Sequence, residues 1–556
     1  MNKTNILFWI CDDLAYGDLS AHGNPYTHTV NLDRLHAESF RLERHCSGPL
    51  CSPARASLMT GRYHMRTGVI DTYCGRSIMH PDEKTLANYL QDADYTSGAF
   101  GKWHLGDCYP SRAMDFGFEE TLLHNAGGIA QPGDLLENYQ RGPESYFDGL
   151  YLRNGAEEKS SGYCTDVFTD AAMDFMKTAK ETDEPFFCYI ASNAPHSPLI
   201  VDEKWSKKFN DLGLSESFAN VYGMVENIDW NIGRLLDFLD EQDLADDTLV
   251  IFTSDHGPCS SAKNDAGESR FNCELRDIKG TLYEGGIRVP VLMRHKNLKA
   301  NSTTRFPTSP IDYLPTILDI CGIETELKNP IDGLNLKPWL DDEQHPVPER
   351  EIYMQWHRGD RPVRYKNAAV IEADYKYYAA GEDELYKLAE DPHEERNLAQ
   401  TEPEKLAELK AKYDSWFNDV GATRGTQTYD AIPIHIGTEH EPLSRLTLND
   451  ARLKENEGWL RDDLSVYWAI KNCSTDAYEI TVRFKKNVPS GTIRFSFQDV
   501  HLEKKISSET EFTVFEEIRL PIATGPIEAY LELDVNDDSA YLNKLMHAFH
   551  VEFKLQ

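Results

Sequence analysis

No stretch of the 556-residue chain stays apolar for the ~20 residues a bilayer-crossing helix needs, so a membrane-spanning protein and a membrane partner are excluded. Positive charge is scarce: 57 Lys and Arg stand against 92 Asp and Glu, a formal charge of −35. Such a surface repels polyanions at long range, so nucleic acid is excluded as a partner and any anionic ligand must be attracted locally. Acidity alone does no more than keep the protein soluble. The cysteines are eleven, an odd number without the dense spacing of a disulfide scaffold, which points to reduced thiols and a cytoplasmic location. No charged leader with an apolar core precedes Ile6–Ile10; a periplasmic or secreted location would follow if a leader had been trimmed. Internal repeats and low-complexity stretches are also missing.

What is present is length enough for two or three packed units. Residues 1–345 alternate short β-rich runs with helical spacing, as in a mostly parallel α/β sheet with helices on both faces; the clearest strands are Ile6–Ile10, Ser97–Phe100, Phe186–Ala191 and Leu249–Thr253. Residues 346–430 read as a small antiparallel sheet, with Tyr375–Ala379 as one strand, covered by a helix carrying Leu406, Leu409, Tyr413, Trp416 and Val420 on one face. Residues 436–556 alternate with period two, as in Tyr478, Ile480, Val482 and Phe484, and predict a β-sandwich with turns at Asn487–Gly491 and Ala523–Pro526.

The predicted strands end beside polar chemistry. Asp12-Asp13 follow the first and Asp255-His256 follow Leu249–Thr253, so four potential metal ligands stand at carboxyl ends of parallel strands, where open α/β sheets bind ligands. Carboxylate oxygens suit a hard cation, Ca²⁺ ahead of Mg²⁺. In Cys51-Ser52-Pro53-Ala54-Arg55 a helix is expected to begin near Cys51, which places Cys51 and Arg55 on one face beside a partly positive helix terminus. If the chain stays extended through Gly101-Lys102-Trp103-His104, Lys102 and His104 point to the same side. Prolines flank His196 in Ala194-Pro195-His196-Ser197-Pro198, and Lys279 opens a glycine-containing loop.

Cys51–Arg55 with Thr60-Gly61-Arg62 resembles the signature of the type I sulfatases, and the similarity extends over roughly residues 1–420. The resemblance implies an alkaline-phosphatase-like α/β fold and a sulfuric ester hydrolase whose Cys51 is oxidised to formylglycine by a maturation enzyme. It implies calcium held by Asp12, Asp13, Asp255, His256 and the modified Cys51, with His256 standing where many relatives carry asparagine. Lys102 would then bridge formylglycine and sulfate, and His104 would assist regeneration. His196 would protonate the leaving group, and Arg55 and Lys279 would complete a cationic sulfate pocket. The segments Gly75-Arg76-Ser77, Gly101–Gly106 and His124-Asn125-Ala126-Gly127-Gly128 look most like bacterial carbohydrate sulfatases, which makes sulfated sugar, as terminal residues or short oligosaccharides, the expected substrate. Arg76, His124, Trp356 and Arg358 are the candidate sugar contacts. Trp459 and Trp468 of the sandwich either bind carbohydrate or belong to its core. Two other readings stand beside this one: a phosphomonoester or phosphonate hydrolase of the same superfamily, and a noncatalytic carbohydrate-binding protein.

Overall fold

The computed structural model describes residues 3–259, 269–454, 465–507, 510–534 and 545–556, without the side chains of 485–487. Its centre is a ten-stranded sheet of β1 (Asn5–Cys11), β2 (Phe40–Leu42), β3 (Thr96–Lys102), β4 (Glu120–His124), β5 (Leu150–Arg153), β6 (Ala156–Lys159), β7 (Phe186–Ala191), β8 (Thr248–Ser254), β9 (Val291–Arg294) and β10 (Ser302–Thr304). The order is β10-β2-β9-β8-β1-β7-β3-β4-β5-β6. The pairs β8–β1, β1–β7, β7–β3 and β3–β4 are parallel, while β9, β5 and β6 join antiparallel.

Strand β1 explains the two-faced architecture. All seven residues of NILFWIC are buried, because helices cover the sheet on both sides. Ile6, Phe8 and Ile10 enter a core shared with the helices Cys51–Thr60, Leu86–Gln91 and Tyr313–Ile320. Leu7, Trp9 and Cys11 enter the opposite core, with Cys164–Glu181 and Glu216–Glu241.

A second, antiparallel sheet contains β11 (Glu351–Gln355), β12 (Ala368–Glu372), β13 (Tyr375–Ala379) and β14 (Asp383–Lys387). Val370, Tyr377 and Leu385 pack on Leu409, Tyr413, Trp416 and Val420 of the helix Pro403–Gly421, while Ile352, Ile371 and Tyr378 pack on Leu282, Tyr283 and Ile287. This sheet therefore backs the loop that carries Lys279.

Two further sheets form the β-sandwich. One holds β15 (Ile434–Ile436), β17 (Arg452–Leu453), β18 (Val466–Asn472), β20 (Gly491–Phe497), β21 (Val500–Ile506), β23 (Thr524–Leu533) and β24 (Leu545–His547); the other holds β16 (Leu443–Thr447), β19 (Ala477–Val488), β22 (Thr510–Arg519) and β25 (His550–Leu555). Trp468 is fully buried in the sandwich core and donates from Nε1 to the Thr447 carbonyl at 2.6 Å, so it is a packing residue; Trp459 lies outside the described residues. The turn expected at Ala523–Pro526 falls earlier, because Thr524–Pro526 already pair with β18, Pro526 opposite Ala469. The sandwich is also less of an appendage than its sequence suggests: Cys74, Ile78 and Cys108 of the α/β region lie in its hydrophobic core.

Candidate active site

Five neighbouring parallel strands, β8-β1-β7-β3-β4, deliver chemistry to one end of the sheet. Asp12 and Asp13 follow β1, Asp255 and His256 follow β8, Lys102 ends β3, His124 ends β4, and His196 lies in the loop after β7. The backbone locks these ends together: the Asp255 N–H donates to Cys11 at 3.0 Å and that of Asp12 to Ala194 at 3.2 Å. Cys51 is the first residue of its helix, held so that Sγ lies 3.4 Å from Asp12 Oδ1, 3.1 Å from His256 Nε2 and 3.5 Å from Lys279 Nζ.

Each of the three aspartates meets one cation. Lys102 Nζ donates to Asp12 Oδ2 at 2.6 Å, and Lys279 Nζ donates to Asp13 Oδ1 at 2.6 Å. Arg55 donates from Nε and Nη2 to Asp255 Oδ2 at 3.1 and 2.9 Å, and from Nη1 to the Lys102 carbonyl at 3.1 Å. Burial opposes charge on Asp12, yet Lys102, His196, Lys279 and Arg55 together hold its carboxyl well below the usual range. Asp13 is lowered in the same way, burial being outweighed chiefly by Lys279 and His196. Burial pushes the Cys51 thiol up to about 12, with Asp12 adding to it. A thiol so protonated is a poor nucleophile at neutral pH.

The histidines share one device. Each ties one ring nitrogen to a backbone carbonyl: His196 Nδ1 to Ser197 at 2.6 Å, His256 Nδ1 to Gly257 at 3.0 Å, His124 Nδ1 to Asn125 at 2.9 Å and His104 Nε2 to Thr72 at 2.8 Å. The carbonyl requires N–H on that side, which leaves the other nitrogen as an acceptor. For His196 that is Nε2, 3.8 Å from Asp13 Oδ2; His104 Nδ1 and His124 Nε2 are buried with no hydrogen-bond partner among the described residues. Burial, reinforced for His104 by Lys102, lowers both His104 and His196 from the ordinary value and favours the neutral ring.

The chain does not stay extended past Lys102. Strand β3 ends there and His104 takes φ +59°, so its ring turns to Thr72 while Lys102 reaches Asp12; both border the centre by different routes.

One ligand atom each from Asp12, Cys51, Asp255 and His256 lie within 4.8 Å of one another, as do those of Asp12, Asp13 and His196. The donors fit a divalent cation: two of the four in the first group and two of the three in the second are carboxylate oxygens, and Asp13 Oδ2 is buried with no hydrogen-bond partner among the described residues.

The candidate sugar contacts divide. Trp356 and Arg358 are partly exposed, and the Trp356 ring lies against Gly280, next to Lys279. Arg76 and His124 are buried, at 0% and 2% exposure, as deep as Lys102 in the centre. Asp71 and Thr72 were not legible beforehand: Asp71 accepts from Trp356 and Arg358, and Thr72 acts through a backbone carbonyl, which has no sequence signature.

An α/β sheet whose strand ends gather paired acids and cations around a buried cysteine has the charge pattern suited to hydrolysis of an anionic ester. Residues 4–323 match the Sulfatase family model, and residues 277–419 match that of the N-sulphoglucosamine sulphohydrolase C-terminal region. N-acetylgalactosamine-6-sulfatase of Sus scrofa is 32% identical over 379 residues, covering 64% of this chain and 69% of that protein. Human (Homo sapiens) steryl-sulfatase is 29% identical over 417 residues, covering 61% and 70%. The solved structure of Ps i-CgsB in complex with k-i-k-neocarrahexaose matches at 28% identity with a TM-score of 0.66, covering 74% of this chain and 92% of that one. The fold is also similar to that of PsFucS1 sulfatase from Pseudoalteromonas sp., at 22% identity, TM-score 0.63, and coverage of 78% and 92%. The chain belongs to the type I sulfatase family and is a sulfuric ester hydrolase.

Proposed function

We propose that the protein removes sulfate esters from sulfated sugars, as terminal residues or short oligosaccharides, using formylglycine made from Cys51 by a maturation enzyme and a bound Ca²⁺. The observation that carries this reading is Cys51 at a helix N-terminus, within 3.5 Å of Asp12, His256 and Lys279, in a centre where every aspartate has its own cation. N-acetylgalactosamine-6-sulfatase and the k-i-k-neocarrahexaose complex of Ps i-CgsB, both similar to this chain, support the sugar. So does a partly exposed Trp356–Arg358 pair beside the Lys279 loop, since an indole face and a guanidinium suit sugar rings and hydroxyls. The net charge of −35 disfavours long polyanions. We assign catalysis to residues 1–345, its C-terminal support to 346–430, and the sandwich to 436–556.

Calcium held by Asp12, Asp13, Asp255 and His256 would polarise the sulfate, and formylglycine at position 51 would supply the attacking hydroxyl. Lys102 and Lys279 bind sulfate oxygens, exchanging carboxylate partners for the ester's charge. Arg55, locked on Asp255, orients that carboxylate rather than the substrate. His196 points Nε2 into the centre and protonates the departing sugar oxygen; the incoming negative charge raises its pKa toward the working range. His104, with Nε2–H fixed on Thr72, offers Nδ1 as the base that restores the resting state.

Cys51→Ala should lose at least about a thousandfold in sulfate release from a panel of monosulfated sugars headed by N-acetylgalactosamine 6-sulfate, while remaining folded. Near-normal turnover by that variant would end the proposal. Peptide mass across position 51 reads the aldehyde directly, and metal analysis reads calcium. Phenyl sulfate against phenyl phosphate separates this reading from phosphomonoester hydrolysis.

A further inference from the structure

A charged network beside the pocket draws on three separate stretches of chain. Asp71 is buried and accepts from Trp356 Nε1 at 3.2 Å and from Arg358 Nη1 at 2.8 Å to either oxygen, while Arg76 Nη1 lies 3.6 Å from it. Arg76 also donates through Nε to Asp360 Oδ1 at 2.7 Å, and the same oxygen accepts from Arg452 Nη1 at 2.9 Å. Arg452 is the first residue of β17, in the β-sandwich. The end of the network away from Arg452 borders the catalytic centre at two points: Thr72, next to Asp71, holds His104, and Trp356 lies on Gly280, next to Lys279.

The sandwich grips this region by backbone as well as charge. The Gly75 N–H donates to the Asn449 carbonyl at 2.6 Å; with φ +62°, a Cβ at Gly75 would stand 2.7 Å from the Asp450 carbonyl oxygen and 3.2 Å from Arg452 Nε. On either side, Cys74 and Ile78 are packed within the sandwich core. Segment 71–78 is thus bonded to the sandwich at one end and to the catalytic histidine at the other. Within it Arg76 is fully buried, and its two Nη atoms, like Arg452 Nε, have no hydrogen-bond partner among the described residues. Few bonds hold these guanidinium groups, so the shared Asp360 oxygen carries much of their alignment.

We propose that the β-sandwich completes the substrate wall, with Arg452 a positioning residue that acts through Asp360 and Arg76 to hold Asp71, and with it Arg358 and Trp356. This rests on the reading that Arg358 and Trp356 meet the sugar. The Arg358 side chain keeps 20% of its surface exposed and is the group placed to do so, whereas Arg452, at 5%, acts from behind. The network then governs sugar affinity more than sulfur chemistry, because no member of it touches Cys51.

The test compares Arg452→Met, Arg452→Lys and Arg358→Ala with Arg494→Ala, which removes an exposed sandwich ion pair with Glu503 and Glu532. Substrates are the panel sugar cleaved fastest by wild type and phenyl sulfate, which presents no sugar. Arg452→Met should raise KM for the sugar at least about fivefold with kcat within about twofold, and raise KM for phenyl sulfate by less than a third as much. Arg452→Lys should recover part of the loss, and Arg494→Ala should match wild type on both substrates. Equal losses on both substrates, or no shift in sugar KM, would overturn the positioning role. If Arg358→Ala raises sugar KM and Arg452→Met does not, that role falls alone; if neither does, the sugar-contact reading falls with it.

Discussion

Two groups of buried carboxylates sit in this molecule under opposite electrostatic conditions. In the catalytic centre Asp12, Asp13 and Asp255 are paired with Lys102, Lys279 and Arg55. Near the junction with the β-sandwich, Asp134 and Asp450 are equally buried but bonded to neutral groups: Asp134 accepts the N–H groups of Ala130 and Leu135, and Asp450 accepts the N–H and hydroxyl of Thr447. Burial pushes Asp134 up to about 7 and Asp450 up to about 6, and burial together with Asp450 raises the partly buried Asp107. Depth is the same in both places; the nearest cation decides whether the acid is charged. One cluster is arranged to hold charge, the other to avoid it.

The two clusters therefore respond oppositely to pH. Asp12 and Asp13 are depressed, so their contribution is present at neutral pH and lost as pH falls below the ordinary carboxylate range through their folded values. Asp134 and Asp450 are raised, so theirs is complete below about 4, where the unfolded acids are also protonated, and is lost as pH rises toward 6 or 7.

The sharpest way to break the comparison is Asp255→Asn, which strands the fully buried Arg55 guanidinium. It should cost about 3–5 kcal/mol, read from the urea midpoint at unchanged slope. A loss below about 1 kcal/mol would mean that the paired cluster is no more charge-dependent than the other. Calcium comes next: added to chelator-treated protein at a hundredfold excess over its Kd, it should stabilise by about 2.7 kcal/mol. That gain should vanish in Asp12→Asn and survive in Asp450→Asn, as followed by thermal unfolding.

Asp450→Asn is the gentler probe. Asp450 Oδ2 accepts both bonds from Thr447 while Oδ1 has no hydrogen-bond partner among the described residues, so an amide keeps the acceptor and drops only the charge. Between pH 4 and 7 its stability relative to wild type should rise by about 1–3 kcal/mol. Smallest of all, amide exchange corrected for intrinsic rates should show Thr447–Leu453 better protected at pH 5 than at pH 7, and the end of β1 equally protected at both, losing protection only below about pH 4.

Legibility followed the range of the interactions involved. Ile6–Ile10 announced β1 because a strand covered on both faces is apolar at every position. Cys51 and Arg55 were readable as one face because a helix repeats locally. The path of His104 was not: the reading assumed extended backbone, and a left-handed turn there is held by the distant Thr72 carbonyl. Nor was the role of Trp468, whose alternation fits a binding face as well as a core until the opposing sheet is in place.

Residue types and their local spacing were enough to outline a mostly parallel α/β sheet and to bring forward Cys51, Arg55 and the aspartates at the strand ends as candidates, since each lies in a short segment whose conformation is set nearby. Only the tertiary structure decided which cation meets which carboxylate, that Arg76 is enclosed, and that Arg452 shares the Asp360 carboxylate with it. Those outcomes depend on contacts between residues at least 90 positions apart, formed after the elements pack, and no local pattern encodes them.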